Sequence, residues 1–245
     1  MSKESKKIKE EFGFESEELA VKEYSLLNRD FMYPNYPLIA DEIVSKLNLN
    51  KSCILDIGTG VGSLAFEFAK RLTSSKVYGL DISQDMLKEA ERLTTGKKPP
   101  NLEFILGDAY HLEFKDEFFD LVVSFGVLHH LKDLRLVFGE IKRVLKKEGS
   151  AFIYDLRKDA PADATAEIAQ EMPAYPKRAF LESVREAQDL SYIEDILKNL
   201  RIQGYSLSSP EYSRQTIIKN KNLLRESKFL GKKFNEIMVQ VYFRK

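Results

Sequence analysis

The chain has 245 residues, enough for one α/β domain with insertions or for a domain with a small cap. Its 38 Lys and Arg balance its 38 Asp and Glu, so the general basicity that drives nonspecific nucleic-acid binding is missing. A single cysteine excludes an internal disulfide framework and any multi-cysteine metal site. No apolar run approaches membrane-spanning length and residues 1–20 hold no apolar signal core, so a soluble, cytoplasmic protein without a membrane partner is expected.

Residues 1 to about 18 are charged and weakly apolar and predict a frayed helix or a disordered arm. A helical pattern runs from Leu19 to Asp30, and Pro34 and Pro37 in FMYPNYP argue against its continuing. PLIADEIVSKLNL is an amphipathic helix with Ile39, Ile43, Val44 and Leu47 on one face. Cys53 to Gly62, CILDIGTGVG, reads as a buried parallel strand ending in Asp56 and entering a glycine loop; Cys53 is expected to be an inert buried thiol. Leu64, Ala65, Phe68, Ala69 and Leu72 then recur at helical spacing. A strand, a glycine loop and a helix make a nucleotide site, in which a helix N-terminus and free N–H groups face the ligand.

KVYGLDIS predicts a second strand ending in Asp81, about twenty residues past the loop, where a carboxylate can accept from ribose hydroxyls. Ser83 or Asp85 caps the next helix. LEFILGDA is a third strand ending in Asp108, and FFDLVVSFGVLHHL carries a fourth with Leu121–Phe125 as its body. LRLVFGEIKRVL is a helix, KKEGS a turn and SAFIYDLR a fifth strand. From Lys158 to Tyr192 the rhythm breaks into a helical insertion over the strand ends. SYIEDILKNL is a further helix, and QGYSLSSPEYS and EIMVQVYFRK are late strand candidates around a basic segment, Lys219 to Lys233, read as a solvated face. The expected fold is a doubly wound, mostly parallel seven-stranded α/β sheet with a helical lid. Its parts are a helical arm (1–35), an α/β core (36–157), a lid insertion (158–192) and a C-terminal helix with the last strands (193–245).

DIGTGVG, VYGLDIS, GDAYHLEF, FDLVVSFGVLHHL and LKKEGSAFIYDLR, in this order over residues 36–157, resemble the motifs of class I S-adenosylmethionine-dependent methyltransferases. The resemblance implies a Rossmann-like fold binding S-adenosyl-L-methionine, with S-adenosyl-L-homocysteine as product. It places Asp56 near the methionine ammonium and Gly58, Gly60 and Gly62 against the methionine part and ribose. Asp81 would accept from both ribose hydroxyls, Ile82 would pack on adenine, and Asp108 and the Ala109 N–H would read its edge. Ser124 and Phe125 would offer backbone carbonyls to the ammonium. The alternating GTGVG differs from the GxGxxG of nicotinamide enzymes.

Methyl transfer needs in-line alignment and, for a hydroxyl or protonated amine, a general base. Candidate catalytic groups are His129, Tyr33, Asp155 and Arg157, each with a structural alternative: a structural role for the His129–His130 pair, an ion pair at the rim for Asp155 and Arg157, and cap packing for Tyr33 and Tyr36. Tyr175, Arg178 and Tyr192 are candidates for the acceptor pocket or for cap packing. No metal site is expected. The leading reading is transfer to a small-molecule acceptor by a monomer or homodimer; the alternatives are methylation of tRNA or protein, and a non-catalytic S-adenosylmethionine-binding protein.

Overall fold

The computed structural model describes residues 17–226 and 234–245. Residues 1–16 of the expected N-terminal arm and the part of the basic segment at 227–233 lie outside the described residues, as do the side chains of Glu17, Glu18, Tyr175, Leu224, Arg225 and Glu226. The helices α1 (Glu17–Leu27) and α2 (Asn35–Lys46) precede β1 (Cys53–Ile57). Then come α3 (Ser63–Arg71), β2 (Lys76–Asp81), α4 (Gln84–Thr94), β3 (Leu102–Leu106), β4 (Phe119–Phe125), α5 (Leu134–Val144) and β5 (Leu145–Leu156). The chain ends with α6 (Ala162–Gln170), α7 (Ala174–Glu186), α8 (Leu190–Asn199), β6 (Ser206–Ser208), α9 (Arg214–Lys219), α10 (Lys221–Glu226), α11 (Phe234–Ile237) and β7 (Met238–Arg244).

The seven strands lie in the order β3-β2-β1-β4-β5-β7-β6. β1 pairs in parallel with both β2 and β4, while β7 runs antiparallel between β5 and β6. The chain winds outward from β1 through β2 to β3, then returns to β4 on the other side of β1. This reversal opens a crevice at the carboxyl ends of β1 and β4. One apolar layer joins α2 and α3 to the sheet through Ile39, Ile43, Phe68, Val77 and Val123. The opposite layer joins α5 and α8 through Phe138, Ile141, Ile193 and Leu197 to Leu55, Val122 and Ile153. The sheet is thus buried on both faces, as its nearly continuous apolar strands require.

Four local expectations need correction. Pro37 does not delay α2, because it falls in the first turn, where a missing N–H breaks no intrahelical bond. KKEGS is not a free turn: Leu145–Leu156 is one strand with a register shift, Phe119 facing Leu145 and Leu121 facing Ser150, and Glu148 takes a φ of 70° within the irregularity. β3 stops at Leu106, short of Asp108, which forms an isolated bridge with His111. Cys53 is half-buried rather than fully buried, and burial pushes its thiol pKa up.

Between α1 and α2 the chain forms a π-helix, Asn28–Met32, a rare geometry that needs side-chain support. Buried Asn28 supplies it, donating from Nδ2 to Tyr36 Oη at 2.8 Å and accepting from Ser63 Oγ at 2.7 Å. Among the described residues no helix is long and apolar enough to cross a membrane, and no cluster of His, Cys, Asp and Glu could hold a metal ion.

Candidate active site

A cavity of about 240 Å³ opens at the switch point. One flank is built from the ends of β1, β2 and β3 by Gly58, Gly60, Leu80, Asp81, Ile82, Gly107, Asp108 and Ala109. The other flank lies toward β5 and β7 and is apolar: Leu156, Met172, Ala179, Phe180, Phe234 and Met238. Phe125 at the end of β4, and Val127, His129 and His130 after it, line the middle, and Tyr24, Leu27, Phe31 and Met32 reach in from α1 and the π-helix.

The glycine loop is tied to Asp81. Gly60 N–H donates to Asp81 Oδ2 at 2.7 Å, and Ser83 N–H donates to Oδ1 at 2.9 Å. Burial raises the Asp81 pKa, and the backbone N–H donors of Ser83, Gly60 and Ile82 work against that rise. Two further N–H groups of the turn are engaged, Thr59 N–H donating to Leu80 O and Gly62 N–H to Thr59 O. Ser83, not Asp85, caps α4, its side chain accepting from Met86 N–H.

The three loop glycines have different tasks. A Cβ at Gly60 would come nearest the Tyr24 ring, at 3.3 Å, and Gly60 forms part of the cavity wall. At Gly62, with φ +78°, a Cβ would fall 2.5 Å from Phe104 Cζ and 3.1 Å from Ala90 Cβ. Gly62 is absent from the cavity wall and serves helix–sheet packing, a correction to its expected place against a ligand. At Gly58 a Cβ would strike Val127 Cγ2 at 2.4 Å, which keeps the β1 and β4 loops in contact beside the cavity.

Asp56 lies deeper, in a recess of about 10 Å³ that shares Tyr24, Gly58 and Phe125 with the cavity. That space suits one water molecule. Asp56 Oδ2 accepts from Thr59 Oγ1 at 2.7 Å, yet burial pushes its pKa up to about 7. Asp108 holds its own turn by accepting from Tyr110 N–H at 2.8 Å. Ser124 does not line the cavity, and its hydroxyl donates to Ile57 O at 2.9 Å.

The four expected catalytic residues separate into two pairs. Asp155 is not a rim residue: it is 2% exposed, and its Oδ1 lies 2.7 Å from His129 Nδ1. Burial works to raise its pKa, but the charge and hydrogen bond of His129 outweigh this and hold the carboxyl below its ordinary range. An ionised carboxylate can only accept, so the His129 Nδ1 carries the hydrogen toward Asp155. The His130 ring packs 3.9 Å from that of His129, centroid to centroid. Tyr33 and Arg157 are absent from the cavity wall. Tyr33 donates its hydroxyl to Glu67 Oε1 at 2.6 Å, and Arg157 forms a two-pronged pair with Asp159. Tyr33 is committed to a buried network in which Arg71 bridges Glu67 and Asp41, so packing, not catalysis, explains its place.

Sequence reasoning missed Tyr24 and the apolar wall. Tyr24 borders both spaces, and burial followed by the Asp81 charge pushes its pKa up to about 12. Its position on an amphipathic helix carried no signal to distinguish it from core. The pairing of His129 with Asp155 had a usable signal, because consecutive strands β4 and β5 of a doubly wound sheet are neighbours.

Residues 49–233 match the family described as "Methyltransferase domain", and the chain belongs to that family. It is 37% identical over 136 residues to a demethylmenaquinone methyltransferase of Thermotoga maritima, covering 54% of this chain and 56% of the relative. The chain spans about half the length, or less, of the curated relatives it matches. In fold it is similar to an S-adenosyl-L-methionine-dependent methyltransferase of Methanococcus maripaludis, with a TM-score of 0.68, 20% identity and 93% of each chain covered. It is also similar to a plantazolicin methyltransferase in complex with S-adenosylhomocysteine, with a TM-score of 0.73, 16% identity, and 97% of this chain and 93% of that one covered.

Proposed function

We propose that this protein transfers a methyl group from S-adenosylmethionine to a small-molecule acceptor held in the apolar flank of the same cavity. The observation that carries the reading is the placement of Asp81 and bare Gly60 side by side on the cavity wall. Each Asp81 oxygen accepts a backbone N–H, which leaves lone pairs for two ribose hydroxyls.

When bound, S-adenosylmethionine supplies an electrophilic methyl on a sulfonium. In this reading Asp81 accepts from the ribose, Ile82 packs on adenine, and Asp108 with the Ala109 N–H reads the adenine edge. Gly58 and Gly60 let backbone approach the methionine part. Asp56 acts on the ammonium across its water-sized recess, and the Phe125 carbonyl accepts from it. The segment 158–192 and residues 17–35 form a lid: Met172, Ala179, Phe180 and Ser183 from the first, and Tyr24, Leu27, Phe31 and Met32 from the second, cover the strand ends and exclude water. The relatives named for demethylmenaquinone and plantazolicin support a small-molecule acceptor.

Calorimetric titration with S-adenosylhomocysteine tests the assignment. Asp81→Asn removes a charged acceptor worth roughly 1.5–3 kcal/mol, so affinity should fall at least about tenfold. Unchanged affinity in a folded Asp81→Asn chain would overturn it.

A further inference from the structure

Asp56 is buried near the end of β1, with 2% of its surface exposed. Neutral groups hold its carboxyl: Thr59 Oγ1 donates at 2.7 Å and the Ala65 N–H also donates. The recess beside it is walled by Tyr24 from α1, Tyr36 from α2, Gly58 and Thr59 from the glycine loop, Leu64 from α3 and Phe125 from β4. Burial raises the pKa of both phenols, so they stay neutral at physiological pH. Among the described residues the charge that acts on Asp56 is that of Asp81 on β2, which has the same sign. An anion enclosed in this way beside a like charge is costly, and the carboxyl escapes the cost by keeping its proton up to about pH 7.

We infer that the ammonium group of the cofactor's amino acid end displaces a proton from Asp56, so that S-adenosylmethionine and S-adenosylhomocysteine bind in exchange for one proton. The inference rests on the methyltransferase reading and deepens it. The recess meets the large cavity at Tyr24, Gly58 and Phe125, so a cation seated there faces the carboxyl across a gap the size of one water. An opposite charge at that range favours the ionised form and reverses what burial and Asp81 impose. The carboxyl O–H bond breaks, its electron pair stays on the Asp56 oxygen, and the proton passes through water to bulk solvent. The ligand thereby brings the countercharge that the fold withholds. A nucleoside without an amino group leaves the proton in place. The recess therefore selects for the amino acid end of the cofactor, and more strongly above pH 7 than below it.

The test is calorimetric titration of the full chain between pH 6 and 8 with two ligands. S-adenosylhomocysteine carries the amino acid end; 5′-methylthioadenosine keeps adenine, ribose and sulfur but lacks it. Asp81, Asp108, His129 and His130 line the large cavity for both ligands, so the ratio of the two affinities isolates the amino acid end. In the wild-type protein that ratio should rise about tenfold in favour of S-adenosylhomocysteine from pH 6 to pH 8. Repeating the titrations in buffers of different ionisation heat should count about one more proton released by S-adenosylhomocysteine than by methylthioadenosine at pH 6, and about half a proton more at pH 7. In Asp56→Asn the extra release should vanish and the ratio should stay within about twofold across the range. The comparison of ligands on the wild-type protein stands even where Asp56→Asn does not fold. A ratio that is flat with pH in the wild type, equal proton release by the two ligands, or extra release that survives in Asp56→Asn would overturn the inference. Failure of both ligands to bind at any pH would instead overturn the methyltransferase reading.

Discussion

On the β1–β3 flank, Gly58, Gly60, Leu80–Ile82 and Gly107–Ala109 all lie within three residues of a strand end. On the opposite flank, Met172, Ala179, Phe180 and Ser183 come from α7 and the turn before it, and Phe234 and Met238 from the far C-terminal region. The first flank is held by backbone: the Asp81 carboxylate binds Gly60 and Ser83 N–H groups directly. The second is held by side-chain packing between segments distant in sequence. Positions fixed by strand ends and hydrogen-bonded turns suit a constant ligand. A wall of adaptable Met and Phe side chains suits a part of the site that changes from one relative to another.

The largest expected effect breaks the backbone-built flank. Gly62→Ala combines a left-handed φ with a 2.5 Å approach to Phe104 Cζ. It should cost about 3 kcal/mol of stability, read as a lower denaturant midpoint. Gly60→Ala should cost less stability but weaken S-adenosylhomocysteine binding at least tenfold, because its Cβ enters the cavity near Tyr24. Equal effects of the two substitutions would erase the distinction drawn between packing and ligand glycines.

Phe180→Ala probes the other flank. Removing part of its apolar contact should cost an acceptor or an apolar probe about 1–2 kcal/mol, roughly tenfold in affinity. Affinity for S-adenosylhomocysteine should stay within about twofold. A parallel loss of both would show that the two flanks are not separable.

Asp56 offers a pH test. Its folded pKa, about 7, stands above the ordinary carboxyl value of 3.8. The protonated form is therefore favoured in the folded state, and its stabilising contribution is fully present below about pH 4 and lost as pH rises through about 7. Denaturant melts of wild type and Asp56→Asn should differ in pH slope over this window, with the wild type losing more stability on the alkaline side. Parallel slopes would mean that Asp56 is ionised throughout.

The smallest effect is expected at Tyr33. Tyr33→Phe removes one hydrogen bond to Glu67, about 1 kcal/mol of stability, and should leave ligand binding unchanged. A large loss of transfer activity would return Tyr33 to the catalytic group.

Sequence legibility follows the same division. Asp56, Asp81 and Asp108 were readable because glycine spacing and acids after apolar runs are local patterns. Gly62 was readable as a special residue but not in its task, since Phe104 and Ala90 meet it only in the fold. Asp155 was visible as a strand-end acid, but its engagement with His129 across 26 residues depends on β4 and β5 lying side by side. The apolar wall was unreadable because Phe180 follows the helical spacing of ordinary core residues and Met172 lies in a turn that only the fold brings to the cavity. The register shift in β5 was hidden because KKEGS has turn composition, and only the pairing with β4 and β7 holds it in the strand.

A crystal structure with S-adenosylhomocysteine tests the central claim, one cavity with a cofactor flank and an acceptor flank, most directly. The account predicts the ribose hydroxyls within hydrogen-bond distance of Asp81, adenine beside Ile82 and Asp108, and the sulfur facing the chamber bordered by His129 and Phe180. Adenosine seated among Met172, Phe180 and Met238, or a ligand that makes no contact with Asp81, would contradict it.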